Sequence, residues 1–327
     1  MLVWPLPDER RARARLMVHE SFHRVQERIG LGGGDPPNRH LDSRHGRTWL
    51  RLEWRALERA LEESGAARRQ AVADALLFRR WRQQRFPRAA AEEAALELRE
   101  GLAEYTGYRL STRSPGELTA EVACRLRDDG RKDSFARSFA YASGPAYGAL
   151  LDALRPGWRA ALRPGADLAE LLRGALRIDR SDTAGAAQMR AAAYDGDEVD
   201  ASEERREAAR ARQLAEQRAR FVSGPVLRLP LAAPRYSFDP NQVQPLDQLG
   251  AVHPTLRVVD RWGVLEASRG ALMVQSGDRP VEVRVPAPRS MRAPLRGDGW
   301  TLVLAAGWTI APGPRRGDLT VRPPRPR

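Results

Sequence analysis

Residues 18–26 read VHESFHRVQ, and the reading of the chain turns on them. Around them Val18, Phe22, Val25 and Ile29 recur at spacings of four, three and four, which predicts a helix over residues 9–29 with Asp8 as its cap. Gly30 follows where a helix end favours a left-handed residue. The stretch also carries the pattern H-E-x-x-H at His19, Glu20 and His23. Positions i and i+4 share one helix face, so both imidazoles can reach a single ion at ~2.0–2.1 Å. Glu20 projects beside that ion, where a carboxylate can take a proton from an activated water.

A catalytic zinc keeps three protein ligands and one open position, so a third ligand is required. Residues 97–107, ELREGLAEYTG, offer Glu100 and Glu104 one turn apart on a second predicted helix. Gly101 and Ala103 are small enough to let that helix approach the first. One acid can ligate while the other orients a histidine through its second ring nitrogen.

Together the two stretches resemble the gluzincin metallopeptidases, the group of thermolysin-like proteases and metallo-aminopeptidases. Their H-E-x-x-H is followed by a helix of the form N-E-G-x-A-x-Y, and REGLAEY matches it at Glu100, Gly101, Ala103 and Tyr105, with Arg99 in place of Asn. The resemblance implies one zinc per chain held by His19, His23 and Glu100, with Glu20 as general base and Glu104 hydrogen-bonded to His19. It also implies a peptide or protein substrate. Residues 139–154, FAYASGPAYGALLDAL, are similar to the Y-x-K-G helix start of the aminopeptidase branch. By that likeness Tyr141 stabilises the oxyanion, Gly144 is aligned and Ser143 replaces the Lys, with Tyr147 and His253 as the next candidates.

The chain departs from the family in two places. Between His23 and Glu100 lie 76 residues, 24–99, which implies two additional helices between the ligand helices. The Gly-x-Met-Glu-Asn strand that binds the free amine in aminopeptidases is missing, and residues 1–7, MLVWPLP, are expected as an edge strand in its place. Aminopeptidase specificity therefore has no support.

Residues 48–110 read as three helices, the last two separated by Pro87, with further helices over residues 134–154 and 167–178. Residues 194–204, YDGDEVDASEE, read as an acidic break before a long charged helix ending near Val222. After Gly224 the periodicity changes, and residues 255–260, 271–276, 281–286, 301–307 and 318–322 read as strands. The expected fold class is mainly α, α+β. A zincin-like helical catalytic domain over 1–222 precedes a β-rich domain over 224–327 whose role is open.

The net charge of +13 and pI near 11.0 point toward anionic partners, but Lys132 is the only lysine among 55 basic residues. An Arg excess in an Ala-, Gly- and Pro-rich chain is what a GC-rich genome encodes, and no basic stripe interleaved with aromatics accompanies it. Nucleic acid is therefore not expected as a partner. The single cysteine, Cys124, excludes an intrachain disulfide and is expected to be a small buried side chain. His40 and His45, in a Gly/Pro-rich loop, make a poor metal pair and are expected to be exposed.

No stretch approaches the ~18–20 apolar residues of a membrane span, and no apolar export segment opens the chain. As written it reads as cytoplasmic; the early motif leaves room for an upstream signal peptide. Two competing readings are a zincin scaffold that binds without catalysis and a basic nucleic-acid or envelope-surface binder. The oligomeric state is left open.

Overall fold

The computed structural model describes residues 5–179, 184–239, 242–277, 279–288 and 290–324. The fold is mainly α, α+β, a helical N-terminal part followed by a β region. The chain divides into two compact units, Met1–Arg206 and Glu207–Arg327.

The first unit opens with α1, Arg10–Gln26, capped by Glu9, whose carboxylate accepts from the Arg11 and Ala12 amides, and not by Asp8. Gly30 adopts φ +73°, as a helix-ending glycine should. The expected apolar face is not the buried one. Val25 and Ile29 are 47% and 53% exposed, whereas the residues α1 buries are His19 and Gln26. Of the expected edge strand, residues 1–4 lie outside the described residues, and Pro5, Leu6 and Pro7 form no strand.

Two helices, α2 (Arg44–Glu62) and α3 (Gly65–Gln84), fill the long gap between the motifs. They pack on each other, with Trp49 of α2 against Phe78 and Trp81 of α3, and Leu50, Trp54, Leu57, Val72, Ala75 and Phe78 all lie in the core of this unit. The next helical stretch runs as α4 (Ala89–Leu96), a π-helical turn (Glu97–Gly101) and α5 (Leu102–Ser111). The following α6 (Pro115–Asp129) was not expected from the sequence, although Ser114 caps it, Pro115 opens it and the Ser114 hydroxyl accepts from the Glu117 amide.

The helix expected from residue 134 starts later, as α7 (Ala140–Leu154), because residues 136–139 form turns. Beyond α8 (Leu168–Leu176) and α9 (Ala184–Ala191), the supposed acidic break is helical. Asp195 takes a left-handed turn and α10 (Gly196–Arg218) begins at the next residue.

Beneath these helices lies a fully buried ionic cluster. Arg79 is bidentate to Glu97 at 2.8 and 2.7 Å, Arg82 is bidentate to Glu93 at 3.0 and 2.7 Å, and Arg82 also meets Glu53. Burial alone would lift the Glu93 carboxyl, yet the Arg82 charge holds it well below the usual range. Burial prevails at Glu97, which is pushed up to about 7.

Among the described residues the second unit pairs twelve short strands into two sheets. One is ordered β11 (Thr309–Pro312), β12 (Leu319–Arg322), β1 (Val226–Pro230), β8 (Arg279–Pro286), β7 (Ala271–Ser276), β4 (Gly250–His253), β3 (Gln244–Leu246). The other is ordered β2 (Arg235–Phe238), β5 (Leu256–Asp260), β6 (Gly263–Ala267), β10 (Trp300–Leu304), β9 (Leu295–Gly297). Leu227 and Leu229 on β1 (Val226–Pro230) and Val283 and Val285 on β8 (Arg279–Pro286) supply core residues from the larger sheet. Val258 on β5 (Leu256–Asp260), Leu265 on β6 (Gly263–Ala267) and Leu302 on β10 (Trp300–Leu304) answer from the smaller. The pairings are antiparallel except β1 with β12 (Leu319–Arg322), among the described residues. No described helix is long and apolar enough to cross a membrane.

Candidate metal centre

Three backbone approaches bring the predicted site residues together. A Cβ on Gly107 would lie 2.9 Å from the Arg15 carbonyl oxygen, so α5 crosses α1 at that glycine. A Cβ on Gly101 would meet the Ala140 carbonyl at 2.9 Å, and one on Gly144 would meet the Gly101 Cα at 2.3 Å. Gly101, expected with Ala103 to let its helix approach α1, therefore admits α7, and Gly107 is the glycine that admits α1. Arg15 fastens the same crossing by stacking its guanidinium over the Tyr108 ring at 3.6 Å, and Arg11 and Arg15 pair with Glu121 on α6.

The π turn decides which acids face α1. In an uninterrupted α-helix Glu97, Glu100 and Glu104 would share a face, being three and seven positions apart. One additional residue in the turn rotates the face by about 100°. Glu97 thus points into the ionic cluster with Arg79, while Glu100 and Glu104 both meet His19.

His19, His23 and Glu100 converge. His19 Nε2 lies 3.1 Å from His23 Nε2, and each is 3.4 Å from Glu100 Oε2. Donors held tetrahedrally around a zinc at ~2.0–2.1 Å lie ~3.3–3.4 Å apart, so the three atoms have the spacing such an ion requires. Among the described residues these three are the group of His, Cys and acidic side chains able to share an ion. Two imidazoles and one carboxylate form a donor set suited to zinc, and three ligands leave a coordination position for solvent or substrate.

Hydrogen bonds fix which ring nitrogens face the centre. His19 Nδ1 meets Glu104 Oε2 at 2.8 Å, which places the proton on Nδ1 and leaves Nε2 to the cluster once the ring is neutral. Without a metal, burial pushes the His19 imidazolium down, but hydrogen bonds with Glu100 and Glu104 outweigh it and raise the ring to about 9. Glu100 is held down, to about 2, chiefly by its hydrogen bond with His19. Its other oxygen, Oε1, is 3.3 Å from Arg99 Nε.

Tyr141 donates its hydroxyl to Glu100 Oε2 at 2.7 Å and stacks on His19 with ring centroids 5.6 Å apart. Burial, reinforced by that hydrogen bond, raises the phenol well above its ordinary value, so it stays protonated near neutral pH. Glu20 is half-buried on α1.

The remaining candidates sit elsewhere. Tyr147 is fully buried and donates to Glu53 at 2.6 Å, and Ser143 accepts from the Trp54 indole at 2.9 Å. His253 is buried on β4 (Gly250–His253) against Phe238, and burial lowers its pKa. His40 and His45 are half-buried, not exposed: His40 Nε2 meets Glu93 at 2.8 Å, and His45 lies on α2 against Phe86. Cys124 is exposed, contrary to the expectation of a buried side chain.

Gln26, which the sequence reading did not single out, touches His23. His23 Nδ1 is 3.1 Å from Gln26 Oε1, and Gln26 Nε2 donates to the carbonyls of Leu98 and Arg99 at 2.7 and 3.1 Å. Its only sequence signal is its place three residues after His23 on the same face of α1. No protein-family model, curated protein or solved structure matches the chain.

Proposed function

We propose that this chain is a zinc-dependent hydrolase of the metallopeptidase type, with the first unit as a zincin-like catalytic domain similar to the gluzincins. The observation that carries the reading is the triangle of His19 Nε2, His23 Nε2 and Glu100 Oε2, with sides of 3.1, 3.4 and 3.4 Å. Those three residues would hold the ion. A bound zinc supplies a Lewis acid that makes water nucleophilic near neutral pH and polarises a carbonyl.

The other roles belong to side chains. Glu20 accepts the proton of the attacking water on its carboxylate and returns it to the departing amine nitrogen. Tyr141 releases its hydroxyl from Glu100 to donate to the oxygen of the reacting carbonyl, where negative charge develops. Glu104 keeps the His19 ring in the tautomer that turns Nε2 to the ion. The substrate class is a peptide or protein amide bond.

The test is a peptide-library assay of zinc-loaded wild type beside Glu20→Gln. Because positioned general bases contribute about 10²–10⁴-fold, the variant should lose that much kcat while keeping its zinc. Equal turnover by both proteins, or none by wild type with one zinc bound, contradicts the assignment.

A further inference from the structure

The residues that α1 buries are His19 and Gln26, so apart from the half-buried Phe22 its C-terminal half is seated by polar contacts, not by apolar packing. Gln26 is 2% exposed. A glutamine in that setting must satisfy both ends of its amide, since a buried polar group left without a partner costs ~1–3 kcal/mol. The two carbonyls can only accept hydrogen bonds, so the NH2 end of Gln26 must face Leu98 and Arg99. The oxygen is then obliged to face His23, and His23 Nδ1 must carry the proton. That leaves the lone pair of His23 on Nε2, the atom 3.1 Å from His19 Nε2 and 3.4 Å from Glu100 Oε2.

The carbonyls that Gln26 engages belong to the π turn, in which Arg99 immediately precedes Glu100. A single amide therefore sets the tautomer of one ligand and anchors the backbone that presents another. Glutamate at this position would keep an acceptor for His23 but turn oxygens toward two carbonyls, and leucine would serve neither end.

We propose that Gln26 is the positioning residue of the metal centre, locking His23 as an Nε2 ligand and tethering α1 to the π turn that carries Glu100. The inference rests on the metal-centre part of the functional reading and needs no assumption about substrate.

The experiment compares wild type, Gln26→Leu and Gln26→Glu for zinc affinity, by competition with a chromophoric chelator. The visible spectrum of the cobalt(II)-substituted proteins reports coordination geometry, and circular dichroism melts check folding. Gln26→Leu removes the acceptor of His23 and should bind zinc about 10–100-fold more weakly. Gln26→Glu keeps that acceptor but sets carboxylate oxygens against the Leu98 and Arg99 carbonyls and should also bind zinc more weakly, with the cobalt absorption weakened or shifted in both. A folded variant that matches wild type in affinity and cobalt spectrum overturns the role of Gln26 and leaves the metal centre standing. If the leucine variant fails to fold, Gln26→Glu tests the tether to the π turn, and a folded glutamate variant with wild-type affinity and spectrum overturns the proposal. Wild type that binds neither zinc nor cobalt overturns the metal centre and this inference together.

Discussion

His19 and Glu104 are joined by a 2.8 Å hydrogen bond between Nδ1 and Oε2, which makes Glu104 the group that sets the His19 tautomer. Replacing Glu104 by Ala leaves a buried ring nitrogen without its partner and the ring free to turn. Zinc affinity should fall about 10–100-fold with His19, His23 and Glu100 intact. Chelator competition measures it; an unchanged affinity would show that the pairing only fills space.

The same pairing gives the centre a pH signature. In the metal-free protein His19 titrates near 9 against an ordinary value of 6.5. A folded-state pKa above the unfolded one means that the protonated ring stabilises the fold fully below about 6.5, and this contribution is lost as pH rises through about 9. Zinc needs the neutral ring, so its affinity should rise about tenfold per pH unit up to that value from His19 alone. Between pH 6.5 and 9, melts of the metal-free protein should show stability falling as pH rises, whereas the zinc-saturated protein, whose ring is neutral folded and unfolded, should show no slope from this group, and the metal-free slope should flatten in Glu104→Ala.

Gly144 and Gly101 meet backbone to backbone, and a Cβ on Gly144 would stand 2.3 Å from the Gly101 Cα. No rotamer relieves that contact. Gly144→Ala should destabilise the first unit by about 1–3 kcal/mol or more and move Tyr141 away from Glu100. Thermal unfolding reads the first effect, and reduced turnover of zinc-loaded protein reads the second.

Arg82 is fully buried between Glu53 and Glu93. Arg82→Met removes the guanidinium shared by two buried carboxylates, which keep only their other partners, and should cost about 3–5 kcal/mol in denaturant unfolding. Arg127 pairs with Glu58 and Glu62 but is 46% exposed, and Arg127→Ala should cost only ~0–1 kcal/mol. Equal losses would mean that burial does not govern these pairs.

The approach of His19 and His23 was legible in the sequence because four-residue spacing on a helix is a geometric statement, and the 76 residues that carry α2 and α3 do not keep Glu100 from meeting them. The machinery around them was hidden for physical reasons. Gln26 in a charged helix looks like a solvated residue, and Glu93 and Glu97 read as part of an ordinary acidic face although both are fully buried. Nothing in ELREG announces a π turn, nor that Arg79 binds its Glu97 and Gln26 reaches its Leu98 carbonyl. Val25 and Ile29 misled in the opposite sense, since apolar periodicity marks a buried face only when a partner covers it. In contrast, α6 carried a readable start in Ser114, Pro115 and Glu117. Strands of three or four residues, such as Gln244–Leu246 and Leu295–Gly297, are too short for alternation to reveal.

The most direct test of the central claim is elemental analysis of zinc in the purified protein beside His23→Ala and Glu100→Ala. The account predicts one zinc per chain in wild type and loss or sharp weakening in both variants, since each removes one of three protein ligands. No zinc in wild type after reconstitution, or full retention in either variant, would contradict it.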